Sequence, residues 1–105
     1  MAYQLTALDA LGDPSRRAIF ERLGERPSAV GALAEGLPIS RPAVSQHLKV
    51  LKQAGLVTDR AIGNRRIYQV DPTGVQELRS YLENFWNRAL ASFKEAAEQK
   101  EEQTR

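Results

Sequence analysis

The stretch SRPAVSQHLKVLKQAGL, residues 40–56, decides the fold of this chain. Ser40 predicts a helix N-cap, because its hydroxyl can accept a hydrogen bond from a backbone N–H of the first turn. Pro42 follows at a first-turn position, where its missing N–H costs nothing. Gly55 stands where a left-handed residue after a helix is favoured, and Leu56 can fold back over the last turn. The stretch therefore predicts one helix with a defined start and stop.

The two faces of this helix differ in chemistry. Its apolar stripe has helical spacing and consists of Val44, Leu48 and Leu51, flanked by Ala43, Val50 and Ala54. The opposite arc has positive charge and hydrogen-bonding groups but no carboxylate, and consists of Arg41, Ser45, Gln46, Lys49, Lys52 and Gln53. Short polar side chains near the helix start suit base edges, and lysines further along suit phosphates. A solvent-exposed helix that happens to lack acidic residues is the alternative, and this face alone favours neither interpretation.

The charge balance changes along the chain. The 105 residues carry a formal net charge of +2. Between Pro38 and Val70, six basic residues face Asp59 alone, which leaves a net charge of +5. From Pro72 onward, five basic residues face six glutamates, which leaves −1. A basic segment beside a near-neutral one indicates a surface that binds a polyanion.

The composition limits the class of protein. Its length predicts one small domain, which we expect over residues 1–99, followed by a polar tail at residues 100–105. The absence of cysteine excludes disulfides and thiolate metal sites and permits a reducing, intracellular location. We see neither a signal-peptide pattern nor an apolar run of the roughly 20 residues that span a membrane. We therefore expect a cytoplasmic, nucleoid-associated protein with no membrane contact.

His47 is the one histidine, and a single imidazole cannot build a zinc site of about four ligands. It lies beside the apolar stripe of its helix, so we interpret it as a half-buried packing residue, with a phosphate contact as the second option. We expect neither a metal nor any other cofactor.

Three helices are predicted before Ser40. Tyr3–Leu11 is amphipathic, with leucines at positions 5, 8 and 11 on one side. Asp13-Pro14 is an N-cap followed by proline, and it opens a helix from Ser15 to Leu23. A third helix runs from about Ala29 to Glu35 and leads through a tight connection to Ser40. Two short helices joined in this way, with the second one basic on its outer face, are typical of a helix-turn-helix.

Arg16 and Arg17 lie in the first turn of the second helix, which is the wrong end for the helix dipole. Either both contact phosphates, or one is held by a carboxylate near the core. We favour a structural role for one of them.

After Gly55 the hydrophobic period changes from helical to alternating. Leu56–Ile62 and Arg66–Val70 are β-prone, and Gly63-Asn64-Arg65 between them favours a hairpin turn. The residues at and beside its tip are cationic or hydrogen-bonding, namely Arg60, Asn64, Arg65 and Arg66. Such a wing can enter a minor groove or lie along phosphates. An ordinary soluble hairpin tip is the alternative, but the neighbouring basic helix favours a DNA contact.

Asp71-Pro72 repeats the cap signal and opens a long helix to about Gln99. Its apolar stripe is too long and too rich in aromatic residues for a core of this size to cover, so we expect a dimer surface. The residues of this surface are Tyr3, Leu5, Leu8, Leu78, Leu82, Phe85, Trp86, Ala89 and Phe93. The alternatives are that the aromatic residues fold back on their own domain or, less favoured, that they form a ligand site.

Three segments together resemble the ArsR/SmtB family of bacterial transcriptional repressors: ALGDPSRRAIFERL, ISRPAVSQHLKVLKQAGLV and GNRRIYQVDPTG. The resemblance extends from about Leu8 to Phe93. It implies a winged helix-turn-helix, mainly α with a small β-hairpin, in the order α-α-α-α-β-β-α. It also implies a homodimer paired through the first and last helices on an operator with two-fold symmetry. Base contacts would then come from Arg41, Pro42, Ser45 and Gln46.

The sequence departs from the metal-sensing members of that family. Those members carry cysteines on the third helix, or histidine and acidic ligands on the last one. Here Val30–Glu35 has no cysteine and the last helix has no histidine. The resemblance is therefore to the branch that does not sense metals and that carries the aromatic cluster found here at Phe85–Ala89.

These observations predict a sequence-specific repressor that binds double-stranded DNA as a homodimer on a palindromic operator. We expect Arg41 to pair with guanine and Gln46 with adenine. The expected phosphate contacts are Lys49, Lys52, Arg65 and Arg66. A non-specific architectural DNA-binding protein is the alternative, and a protein-interaction module is less favoured. The chain offers no catalytic cysteine, histidine triad or glycine-rich phosphate loop, so we expect no enzyme. The sequence does not reveal whether a small-molecule effector exists.

Overall fold

A computed structural model describes the backbone of residues 2–103 and the side chains of residues 6–103. The elements follow in the order α1 (Ala2–Ala10), α2 (Pro14–Glu25), α3 (Val30–Gly36), α4 (Arg41–Gln53), β1 (Val57–Ile62), β2 (Arg65–Val70) and α5 (Pro72–Gln103). This is the predicted winged helix-turn-helix order, with α3 and α4 as the helix-turn-helix and the hairpin as the wing.

Helix α4 has the predicted caps at both ends. The Ser40 hydroxyl accepts a hydrogen bond from the backbone N–H of Ala43 at 3.3 Å. At the other end Gly55 has a φ of 79°. Its N–H donates to the Lys52 carbonyl at 3.0 Å, and the Leu56 N–H donates to the Leu51 carbonyl at 3.0 Å. This pair of bonds is the Schellman arrangement, which satisfies carbonyls that the helix itself leaves unbonded.

The apolar stripe of α4 lies in the centre of the core. The buried core residues are Ala7, Ala10, Ile19, Leu23, Leu33, Val44, Leu48, Leu51, Ala54, Leu56, Val57 and Leu78. Full burial of one large aliphatic side chain stabilises the fold by about 1.5–3 kcal/mol. Since Val44, Leu48 and Leu51 are all fully buried, α4 is held firmly by α2, α3 and β1, and its opposite face is fixed towards solvent.

The face of α1 that is buried in the core is formed by alanines rather than by the leucines. Ala7 and Ala10 are the buried positions, whereas Leu8 is 37% exposed and Leu11 is half-buried. Leu8, which we predicted at a dimer surface, is thus exposed on its own chain. The side chains of Tyr3 and Leu5 lie outside the described residues. Small alanine side chains allow α1 to approach α5, against which it packs.

The two arginines at the start of α2 both have structural partners. Asp13 is the N-cap, and its Oδ2 accepts from the Arg16 N–H at 2.9 Å. The Arg16 Nε donates to the Ala10 carbonyl at 2.7 Å, and the Arg17 Nη1 donates to the Leu11 carbonyl at 3.0 Å. Both side chains thus satisfy carbonyls at the end of α1, where cations are favoured by the helix dipole. The expectation of one carboxylate partner was wrong, because backbone oxygens take that role for both.

The wing is a tight antiparallel hairpin. Ile62 pairs with Arg65, so the turn consists of Gly63 and Asn64 alone, and Arg65 belongs to the strand rather than to the turn. Gly63 has a φ of 62°, which a two-residue hairpin turn with glycine first requires. Ser28 exchanges two backbone hydrogen bonds with Tyr68, at 3.0 and 2.9 Å. These bonds fasten β2 to the segment that precedes α3.

Helix α5 begins at its predicted cap, where Asp71 Oδ1 accepts from the Thr73 N–H at 3.0 Å. It continues past the predicted end near Gln99 to Gln103, so residues 100–103 are helical. Its first turns pack on the domain through Gly74 and Leu78, while every residue from Leu82 to Gln103 is exposed. No described helix is long and apolar enough to cross a membrane.

Candidate nucleic-acid interface

The exposed face of α4 carries the residues predicted to contact bases and phosphates. All of the following are exposed: Ser40, Arg41, Pro42, Ser45, Gln46, Lys49 and Lys52. The helix holds them on one side because its opposite side is buried. Ser40 differs from the others, since its hydroxyl already accepts the capping hydrogen bond.

Arg41 lies against the start of α3. A Cβ placed on Gly31 would stand 3.0 Å from Nη2 of Arg41, so the guanidinium rests on a position that has no side chain. Arg41 also borders a cleft of about 470 Å³ between α3 and the wing. Arg65 and Arg66 line the same cleft, and Glu35 lies at its edge. The fold therefore brings the first residue of α4 and the wing arginines to one side of the molecule.

Asp59 joins α4 to the wing. Its Oδ1 lies 2.7 Å from Nζ of Lys52, and its Oδ2 lies 2.6 Å from Nη1 of Arg66. Its side chain is only 5% exposed, whereas those of Lys52 and Arg66 are 55% and 57% exposed. The hydrogen bonds from Lys52 and then from Arg66 hold the pKa of Asp59 below its usual value. The same contact raises the pKa of Arg66.

These contacts of Asp59 could not be read from the sequence, in which it stands only as one negative charge among six positive ones. It is the sole acidic residue between Pro38 and Val70, and that isolation was the available signal. The other wing residues, Arg60, Asn64 and Arg65, are exposed as expected.

An exposed apolar surface runs along α5. Trp86 and Phe93 are 64% and 73% exposed, and the neighbouring Leu82, Phe85, Ala89 and Leu90 are also exposed. The aromatic residues therefore do not fold back on their own chain, which rules out that alternative. Leu78, which we predicted at a dimer surface, lies in the core of its own chain. The exposed surface thus begins at Leu82, beside a groove of about 370 Å³.

His47 is half-buried, as the sequence indicates. The pKa of Asp13 is lowered, first by the hydrogen bond from the Arg16 N–H and also by the charges of Arg16 and His47. His47, on α4, thus lies near Asp13 at the start of α2. No group of His, Cys, Asp and Glu that could hold a metal ion occurs in the described part of the chain.

Comparisons with known proteins agree with this architecture. A family profile described as a helix-turn-helix domain matches residues 11–60, which extend from the end of α1 into β1. The HTH-type transcriptional regulator Rv2034 of Mycobacterium tuberculosis is 62% identical over 87 residues, which cover 83% of this chain and 81% of that protein.

Two solved structures are similar over most of their length. The ArsR-like transcriptional regulator from Rhodococcus sp. RHA1 superposes with a TM-score of 0.78 at 31% identity, covering 91% of this chain and 93% of that one. The winged helix-turn-helix domain of Mb0332 from Mycobacterium bovis, described as homodimeric and as a possible ArsR-family regulator, has a TM-score of 0.68 at 26% identity. The similarity covers 85% of this chain and 82% of that one.

Proposed function

The chain belongs to the ArsR/SmtB family of winged helix-turn-helix transcriptional regulators, and we propose that it is a homodimeric repressor that occupies a palindromic operator in double-stranded DNA. The observation that carries this proposal is the acid-free, exposed face of α4, which the buried stripe beneath it holds in place. A protein of this kind works at the nucleoid, so we place it in the cytoplasm.

The start of α4 supplies the base contacts in this proposal. A helix that enters the major groove directs its N-terminal residues to base edges. Arg41 has the fork of donors that matches guanine, and Gln46 has the donor and acceptor that match adenine. Ser45 reaches a base or a phosphate from the same face, and Pro42 makes apolar contact. One good bidentate pair discriminates between bases by about 1–3 kcal/mol.

The phosphate contacts come from cations further along α4 and on the wing. Lys49 is exposed in the middle of the helix, and Arg65 is exposed beside the turn of the hairpin. Arg60 and Asn64 extend this surface along the wing. Such contacts fix the position of the protein on the duplex and carry no sequence information themselves.

The exposed apolar surface of α5 supports the homodimer. Burial of aromatic side chains contributes much of the binding energy of interfaces, and here Phe85, Trp86 and Phe93 are all more than half exposed. The homodimeric Mb0332 domain has the same fold. Leu8 is also exposed, on the helix that packs against α5. Two copies related by a two-fold axis would place their α4 helices about 34–36 Å apart, one turn of DNA.

The test is selection of bound duplexes from a random library by the purified protein, followed by competition between the selected site and random DNA at fixed salt. We expect a motif with two-fold symmetry, bound about 10³-fold or more tightly than random duplex. Equal affinity for both would instead show a non-specific architectural protein. The absence of binding to any duplex at low salt would contradict every DNA-binding role.

A further inference from the structure

We propose that Asp59 limits the affinity of this surface for DNA of any sequence, because it holds Lys52 and Arg66 and so keeps them from phosphates. The inference rests on the proposed DNA-binding function and goes beyond it. It concerns how many cations of the surface are free to bind phosphates.

The geometry shows a carboxylate shared between two cations from different elements. Lys52 comes from the last turn of α4, Asp59 from β1 and Arg66 from β2. Each cation contacts its own oxygen of the carboxylate, at 2.7 and 2.6 Å. Such charge-assisted contacts are shorter and stronger than neutral hydrogen bonds. The carboxylate therefore links α4 to both strands of the wing.

The hairpin register explains why Asp59 reaches both cations. Asp59 is two residues from the buried Val57 and so lies on the same face of β1, which is the face towards the body of the domain. Arg66 pairs with Ala61, which makes it a diagonal neighbour of Asp59 on that face. Diagonal neighbours in a sheet are within reach of long side chains.

The charge of the surface gives this contact its consequence for DNA binding. Each cation that neutralises a phosphate releases counterions, and this gain is independent of sequence. Asp59 reduces the charge of the three-residue group from +2 to +1 and directs both cations towards itself. Binding to DNA of any sequence, the operator included, then loses these two contacts in each protomer, while the base contacts proposed for Arg41 and Gln46 are left intact. The affinity for both kinds of duplex is lower and depends less steeply on salt as a result.

The first test compares Asp59→Asn with Glu35→Gln. Both substitutions remove one negative charge from the same side of the molecule, but only the first releases Lys52 and Arg66. We expect the plot of log K against log salt to steepen by up to about 3.6 in the Asp59→Asn dimer, for random duplex and operator alike, because two phosphate contacts are gained in each protomer. Glu35→Gln should leave this slope within about 1 of the wild type, because its charge touches neither cation and so frees no phosphate contact.

The second test does not depend on how well Asp59→Asn folds. Lys49 and Lys52 lie on the same exposed face of α4, but only Lys52 is paired with Asp59. Lys49→Gln should flatten the salt dependence for random duplex by about 1.8, the value for one phosphate contact in each protomer. Lys52→Gln should change it by less than half as much, because Asp59 already holds that charge.

The outcomes separate this inference from the proposed function. If the wild type does not prefer any duplex over random DNA, the proposed function fails. If the wild type does prefer its operator but Asp59→Asn matches Glu35→Gln, or Lys52→Gln matches Lys49→Gln, the inference about Asp59 is overturned while the function stands.

Discussion

Trp86 offers the sharpest test of the proposed dimer. Its side chain is 64% exposed on the apolar surface of α5. Complete burial of a large apolar side chain is worth about 1.5–3 kcal/mol, so covering the exposed part contributes about 1–2 kcal/mol in each protomer. Trp86→Ala removes this contribution from both copies, a loss of about 2–4 kcal/mol, which corresponds to a dimer roughly 30- to 700-fold weaker.

Sedimentation equilibrium over a range of chain concentrations measures this dissociation constant directly. Asn87→Ala is the matched control, because Asn87 is also exposed but lies on the polar side of α5 with Ser80 and Asn84. The control should leave the constant unchanged. Circular dichroism should show that both variants keep their helices, since neither residue belongs to the buried core. A dissociation constant for Trp86→Ala within about threefold of the wild type would refute the assignment of this surface to the dimer.

Three further predictions concern the buried core, the contact between Gly31 and Arg41, and the carboxylates of Asp13 and Asp59. Leu48→Ala should destabilise the fold by about 2–5 kcal/mol in denaturant titrations, because Leu48 is fully buried and its loss leaves a cavity. Arg41→Ala should lower the discrimination of one operator base by about fivefold or more in competition titrations. Gly31→Ala requires the flexible end of Arg41 to move by only a few tenths of an ångström, so it should change that discrimination by less than about twofold, and a loss as large as that of Arg41→Ala would show that the position of Arg41 beside α3 matters for DNA binding. The lowered pKa values of Asp13 and Asp59 mean that both carboxylates stabilise the fold above the usual value of 3.8 and lose this contribution as the pH falls through their folded-state values. Thermal unfolding between neutral pH and about pH 3 should show that loss, and it should be smaller in Asp13→Asn.

The boundaries of α4 could be predicted because the groups that set them act on their own neighbours. The Ser40 hydroxyl bonds to the backbone three residues away, and the positive φ of Gly55 closes the helix within two residues. The same reasoning holds for Asp13 and Asp71, which cap α2 and α5. Such short-range contacts depend only on the spacing of residues along the chain, so they can be predicted from the sequence alone.

The packing of α1 could not be predicted for a different reason. Ala7 and Ala10 are buried while Leu8 remains outside, although the alanines and the leucines have the same helical spacing. A helix with two apolar faces, here one of alanines and one of leucines, can bury either face in the core, and the sequence alone does not show which one is buried. The close approach of α1 to α5 selects the small residues. The partners of Arg16 and Arg17 depend in the same way on where α1 ends.

The salt dependence of DNA binding can be calculated from the charges in the sequence or from the contacts in the structure, and the two slopes differ. The sequence alone suggests four phosphate contacts in each protomer, from Lys49, Lys52, Arg65 and Arg66. A dimer would then show a slope of log K against log salt of about −7, at about 0.9 for each contact. In the structure Asp59 holds two of these four cations, which leaves a slope of about −3.6 for random duplex. A titration at several salt concentrations distinguishes these values, and a slope near −7 in the wild type would show that DNA displaces Asp59 from both partners. Asp59 therefore sets how much of the positive charge of the basic segment is available to phosphates. The charge of Asp59 can be read from the sequence, but its position follows only from the pairing of the two strands and their contact with α4.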